Sequence, residues 1–282
     1  MKILLAGATG VVGRRLIPLL VQAGHEVAGT TRRTERAGLL RDLGAEPVIV
    51  DMFDAAAVHD AVAAQRPDAV IHQLTDLGAE DFDANSQLRI TGTRNLVDAA
   101  LAAGVETMIA QSIAWLYVPG AAPAVETDPL DSSVPPYKGV AALEDAVGEM
   151  PRGVVLRYGA LYGPGTWYAP DGAIAERVRA GTLRQAPSWT SFVHTEDAAS
   201  AALAALDWPA GAVNIVDDEP VTTADWLPVY SAAIGAPHPG SAGKHAAATG
   251  RPASNAKALD LGWKPQVTSW RTGFARMGDA AS

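Results

Sequence analysis

Gly7, Gly10 and Gly13 stand three residues apart between an apolar run, Ile3 to Ala6, and a helical apolar pattern from Arg14 to Ala23. The run reads as a buried strand. A strand, a tight glycine turn and a helix N-terminus together build an anion site. Backbone N–H groups and the positive end of the helix dipole point at a phosphate, and missing side chains let it come close. At this position the spacing points to a dinucleotide, with Gly7, Thr9, Gly10, Val11, Val12 and Gly13 as its cradle. A plain strand-to-helix turn is the alternative.

The residues after the second strand set cofactor preference. An acid there would bind the adenosine ribose hydroxyls, whereas arginine accommodates a 2′-phosphate. The chain has Gly29-Thr-Thr-Arg-Arg33 and no acid. Arg32 or Arg33 can pair a phosphate bidentately and Thr31 adds a hydroxyl, so NADP is expected over NAD, a solvated turn being the other reading. Asp51 and Met52 follow the third strand, where Asp51 either meets the adenine amino group or caps the next helix.

These residues need a scaffold, and the chain alternates strand-like and helix-like runs to provide one. Strands are expected at Glu26–Thr30, Pro47–Val50, Ala69–His72, Thr107–Gln111 and Val154–Arg157. Helices are expected at Thr34–Leu43, Ala55–Gln65, Ser86–Ala103 and Tyr137–Met150. This alternation means a parallel sheet with helices on both faces and ligands at the carboxyl ends of the strands. After Arg157 it stops. A Gly- and Pro-rich loop from Gly159 to Gly172 leads to helices near Ile174–Ala180, Glu196–Leu206 and Thr223–Ile234, a strand at Ala212–Val216, and a mobile surface segment from Gly235 to Pro252. Thr195 is expected to cap the helix from Glu196.

With 282 residues, 48% of them apolar, the chain can bury a full core. Its net charge of −9 argues against nucleic acid or an anionic membrane as partner. No cysteine is present, which excludes disulfides and thiol nucleophiles. The six histidines are scattered, so no metal is expected. No stretch approaches the ~20 apolar residues of a membrane span, and the N-terminus lacks a signal-peptide pattern. A cytoplasmic location is expected, with a small-molecule substrate.

Several segments resemble the extended short-chain dehydrogenase/reductases, the NAD(P)-dependent epimerase/dehydratase group. They are the glycine triplet, Gly92-Thr-Arg-Asn-Leu96, Ser112, Tyr137 and Arg157-Tyr-Gly-Ala-Leu-Tyr-Gly-Pro-Gly165. Phe192-Val-His-Thr-Glu-Asp-Ala-Ala199 and Asn214-Ile-Val-Asp217 match it further along. The resemblance implies an α/β, Rossmann-type doubly wound parallel sheet over residues 1–160, joined by a returning strand near 212–216. A smaller C-terminal substrate-binding lobe is expected over 161–282, and a homodimer through the long helices.

The family's chemistry is hydride transfer at nicotinamide. A tyrosine exchanges a proton with the substrate oxygen, a serine hydrogen-bonds that oxygen, and a lysine four residues after the tyrosine lowers its pKa. Residues i and i+4 share a helix face, so both can address one cofactor. Ser112 and Tyr137 stand at the first two positions, but position 141 is Ala and the neighbouring Lys138 is turned ~100° away. The family's asparagine on the long helix is replaced by Arg89. Tyr117 is a candidate substitute proton donor. Tyr162, Trp167, Tyr168 and His194 are candidates for a substrate pocket, with structural packing as the alternative.

The expected function is an NADP(H)-dependent oxidoreductase for a small carbonyl or alcohol, Ser112 and Tyr137 meeting its oxygen. A redox-neutral epimerase, dehydratase or cyclisation enzyme is one alternative. A catalytically silent NADP-sensing protein is another.

Overall fold

A computed structural model describes residues 1–76, 81–240 and 249–279. Its strands are β1 (Lys2–Ala6), β2 (Glu26–Thr31), β3 (Glu46–Ile49), β4 (Ala69–His72), β5 (Thr107–Ile113), β6 (Arg152–Tyr158), β7 (Ala160–Tyr162), β8 (Trp189–Thr190), β9 (Phe192–His194), β10 (Gly211–Ile215) and β11 (Val221–Thr222). Its helices are α1 (Val11–Gln22), α2 (Ala37–Asp42), α3 (Ala55–Gln65), α4 (Phe82–Gln87), α5 (Thr93–Ala102), α6 (Tyr137–Gly148), α7 (Ala173–Arg179), α8 (Thr195–Ala204), α9 (Thr223–Ala233), α10 (Ala256–Asp260) and α11 (Trp270–Asp279). By its internal contacts the chain divides into two units. The first is Met1–Ser112, Ser132–Arg157 and Ala199–Val213; the second is Ile113–Asp131, Tyr158–Ala198 and Asn214–Ser282.

Seven strands form one sheet in the order β10-β6-β5-β4-β1-β2-β3, and the registers of β1 with β2 and β4, β2 with β3, and β4 with β5 are all parallel. The inner strands are continuous apolar runs because helices cover both faces. Leu4, Val70 and Met108 from β1, β4 and β5 pack with Leu96, Val97, Leu143 and Val147 from α5 and α6. Chain order reverses between β1 and β4, which opens a crevice at their carboxyl ends.

Two expected helices differ in detail. The stretch Thr34–Leu43 starts as a 3₁₀ turn at Thr34–Arg36 before α2. The single helix expected over Ser86–Ala103 begins earlier, where Asp81 caps α4 by accepting from Ala84 N at 2.9 Å. It is then interrupted by a π-helical turn, Leu88–Gly92, which leads into α5. Such turns recur at functional sites.

The second unit has its own core, in which Tyr162, Phe192, Trp226, Tyr230, Trp270 and Phe274 pack together. Residues 241–248 of the expected mobile segment lie outside the described residues. On its two sides the backbone is tied down, by Gln185 N to Gly240 O at 2.9 Å and Trp189 N to Thr249 O at 3.0 Å. Among the described residues, no helix is long and apolar enough to cross a membrane.

Candidate active site

The turn after β1 is built so that only glycine fits. Gly7 adopts φ +83°, and a Cβ there would lie 2.5 Å from both the carbonyl carbon and oxygen of Gln73. A Cβ at Gly13 would lie 2.4 Å from the Gly7 carbonyl oxygen. Gly10 N donates to Gly7 O at 3.0 Å, which closes the turn, and α1 starts at Val11 with no side-chain cap and no acid in its first turn. Its leading amides are therefore available to an anion. Val12 is buried under the turn while Thr9 and Val11 are half-buried at its rim.

A cleft of about 320 Å³ runs from this turn across the carboxyl ends of β1 to β4. Thr9, Arg32, Arg33, Asp51 and Met52 line it, together with Arg36 and Asp76, which sequence reasoning missed. Three arginines in five positions were the available signal. Arg32 Nη2 stands 3.4 Å from Asp76 Oδ2 on the exposed rim. The Thr31 hydroxyl accepts from Arg33 N at 3.2 Å, which folds the turn back on itself. Asp51 accepts from Phe53 N at 3.0 Å, and the cap of α3 is instead Asp54, accepting from Ala57 N. Met52 is buried, and its carbonyl accepts from Asn95 Nδ2 at 2.9 Å. The glycine cradle, the open amides and the arginine rim fit the phosphates of a dinucleotide.

Beyond β5, Ser112 lies within the strand and not after it, fully buried. Its hydroxyl donates to Glu144 Oε1 at 2.7 Å. Arg157 holds the same carboxylate bidentately, Nε to Oε1 at 3.0 Å and Nη2 to Oε2 at 2.6 Å. The Ser112 hydrogen is thus directed at Glu144, where a substrate oxygen was the expected partner. Tyr137 opens α6, half-buried, with no partner for its hydroxyl among the described residues. Ala141 follows one turn on, and Lys138 is exposed.

Arg89, in the π-helical turn, is 3% exposed. Burial pushes its guanidinium down to about 10, against the pull of Glu144, and it stays charged at neutral pH. At the end of β4, His72 is buried, with Nε2 2.9 Å from Thr93 Oγ1 and Nδ1 accepting from Leu74 N at 3.3 Å. Burial pushes it down to about 4, so it is neutral.

The remaining candidates belong to the second unit, and several are corrected there. Tyr117 is buried and donates to Asn214 Oδ1 at 2.6 Å, so its proton is engaged within the fold. Tyr162 and Tyr168 lie in the aromatic core and not on an exposed loop. Tyr162 meets Phe274 edge-on at 5.3 Å, and Tyr168 meets Phe192 at 5.2 Å. Burial raises both hydroxyls well above the usual tyrosine range. Trp167 is half-buried, its carbonyl accepting from Ile174 N at 2.9 Å. His194 Nδ1 accepts from Glu196 N at 3.4 Å, and its ring packs edge-on to Tyr162. Thr195 is the first residue of α8, and its buried hydroxyl has no partner among the described residues, so it is not the cap. Among the described residues, no group of three or more histidine or acidic side chains could hold a metal ion.

The sequence profile of the NAD dependent epimerase/dehydratase family matches residues 3–216. The 3-diazoavenalumate denitrifying reductase of a Streptomyces species is 42% identical over an alignment covering 98% of this chain and 100% of that protein. The 2-alkyl-3-oxoalkanoate reductase of Stenotrophomonas maltophilia is 30% identical over 72% of this chain and 64% of its own. Among solved structures, the UDP-glucose 4-epimerase of Thermus thermophilus with NAD superposes with a TM-score of 0.78 at 27% identity, covering 99% and 98% of the two chains.

Proposed function

We propose that this chain, which belongs to the NAD dependent epimerase/dehydratase family and is an enzyme of oxidoreductase or epimerase type, uses NADPH to reduce a small diazo compound. The observation that carries the reading is the lack of an equipped proton donor among the described residues. The Ser112 hydrogen is held by Glu144, and the position one turn after Tyr137 is alanine. Without the lysine that the family places there, Tyr137 lacks its usual activating partner. Carbonyl reduction needs a proton on oxygen. Bound nicotinamide would supply a hydride, and with the carbon of a diazonium group as acceptor the change is R–N₂⁺ plus hydride to R–H plus N₂, with no proton taken up. The 42% identical Streptomyces reductase is named for a diazo substrate, which supports the same reading.

We assign the pyrophosphate to the turn formed by Gly7, Thr9, Gly10, Val11, Val12 and Gly13, with the adenine beside Asp51 and Met52. The 2′-phosphate goes to Arg32 and Arg33. Asp76 competes for Arg32, but an exposed ion pair is weak and yields to a phosphate. Arg32→Ala is expected to weaken NADPH about 10- to 100-fold and NADH hardly at all. Calorimetry with both cofactors checks this, and equal losses would sink the 2′-phosphate assignment.

The reaction itself is tested by following NADPH absorbance with diazo and carbonyl panels. A diazo compound should consume NADPH and release N₂. Tyr137→Phe should leave that turnover nearly unchanged, whereas losing a working general acid costs about 10²- to 10⁴-fold. Turnover of carbonyls alone, abolished in Tyr137→Phe, would overturn the reading. It would favour carbonyl reduction with Tyr137 as donor, the second reading, which the Stenotrophomonas reductase supports.

A further inference from the structure

Arg89 is almost wholly enclosed, yet no group among the described residues accepts a hydrogen bond from it, and its Nε is sealed from solvent as well. Its surroundings explain why this matters. Gly139 comes against Ser86, where a Cβ would lie 2.9 Å from the Ser86 Cα. The turn that carries Arg89 packs along α6, and the Glu144 carboxylate on that helix pulls on the guanidinium. Arg89 thus stands beside the turn of α6 that carries Ala141.

Counting charge around it leaves a surplus. Arg157 and Arg89 are cations, and among the described residues the Glu144 carboxylate pairs the first and acts on the second. Both oxygens of Glu144 already accept from Arg157, and one also from Ser112. His72, whose ring also senses the Arg89 charge, is neutral and has both ring nitrogens engaged. Among the described residues, the buried Arg89 charge therefore has no carboxylate hydrogen-bonded to it. Burying an unpaired charge is costly, and a bound anion would relieve that cost. The cofactor phosphates do not meet this need, since Arg89 is not among the residues lining the cleft at the glycine turn.

We propose that Arg89 is a specificity-determining residue that pairs a carboxylate on the substrate, so that the enzyme takes acids in preference to neutral molecules. A planar guanidinium grips a carboxylate by two parallel hydrogen bonds. The identity of the reacting group rests on the reductase reading above, but the anion subsite stands on the charge count.

The test titrates benzoate and its neutral analogue benzamide into the NADPH-loaded protein by calorimetry, and records the unfolding temperature without added acid. Benzoate should bind the wild type, and Arg89→Met should weaken it at least ~10-fold while leaving benzamide unchanged. Arg89→Met should also unfold at a higher temperature, since an unpaired buried charge is removed. Unchanged benzoate binding in Arg89→Met, or no binding to the wild type, would overturn the proposal. So would a lowered unfolding temperature with binding retained, which marks a structural residue. Inorganic phosphate displacing benzoate at equal concentration would reveal a general anion site and overturn the carboxylate assignment. If Arg89→Met does not fold, Arg89→Lys keeps the charge without the fork and should still bind benzoate several-fold more weakly; equal binding overturns the proposal. Failure of diazo turnover would defeat the reductase reading without touching these binding results, and unchanged benzoate binding would defeat the subsite without touching that reading.

Discussion

Gly13→Ala is expected to abolish useful NADPH binding, with affinity falling at least ~100-fold, or about 3 kcal/mol. Position 13 lies inside α1 with ordinary helical backbone, where alanine is intrinsically the better residue. The objection is purely one of space. The added methyl carbon would sit 2.4 Å from Gly7 O and 2.8 Å from both Cα and O of Ala8. All three are backbone atoms of the phosphate turn, and none can swing away as a side chain end would. The turn must open, and the amides of Gly7 and Gly10 move with it. Gly38→Ala is the control: that glycine sits in α2 with nothing within 4 Å of an added Cβ. It should stabilise slightly and leave NADPH binding alone. Equal affinity of Gly13→Ala and wild type by calorimetry would refute the steric account.

Glu144→Ala is expected to destabilise the protein by about 3–5 kcal/mol, the cost of stranding a buried partner. The side chains of Arg157 and Glu144 are 8% and 14% exposed, and the pair is bidentate, so solvent cannot replace what is lost. Ser112 loses its acceptor in the same step. Two buried guanidinium groups, Arg157 and Arg89, would both lose the carboxylate that acts on them. Glu144→Gln keeps the volume and one acceptor and should fall between. Glu149→Ala, on the exposed ion pair with Arg94, should change little. Urea unfolding followed by circular dichroism separates these cases. Similar midpoints for Glu144→Ala and Glu149→Ala would show that the buried network contributes nothing special.

The sheet was legible because buried parallel strands leave a mark that survives reading one residue at a time. Ile3–Ala6 and Ala69–His72 are short apolar blocks punctuated by glycine or polar turns, and both fall inside or upon the observed strands. The glycine spacing likewise announced a strand, a turn and a helix. Side-chain direction was not legible. Ser112 looked like a free hydroxyl after a strand, but its partner Glu144 lies 32 residues away on a different element. Tyr162 and Tyr168 looked exposed because glycines and prolines surround them. Their partners Phe192, Trp226 and Phe274 are distant in sequence and make them core. Arg89 was visible as a departure, while its lack of a counter-ion required His72, Glu144 and Arg157 to be placed in space.

The π-helical turn at Leu88–Gly92 gives this last point a further meaning. One residue too many for an α-helix is held in that turn, so α4 and α5 are two helical ladders out of phase by a single rung. Each residue of helix corresponds to about 100° of rotation. The heading of the Arg89 guanidinium is therefore set by a count of residues, not by any bond that grips it. Removing one residue from the turn would bring the ladders into phase and swing that heading away from Glu144, with no contact residue altered. A change in chain length by one, invisible to any list of substitutions, would be enough to retune the charge of this site.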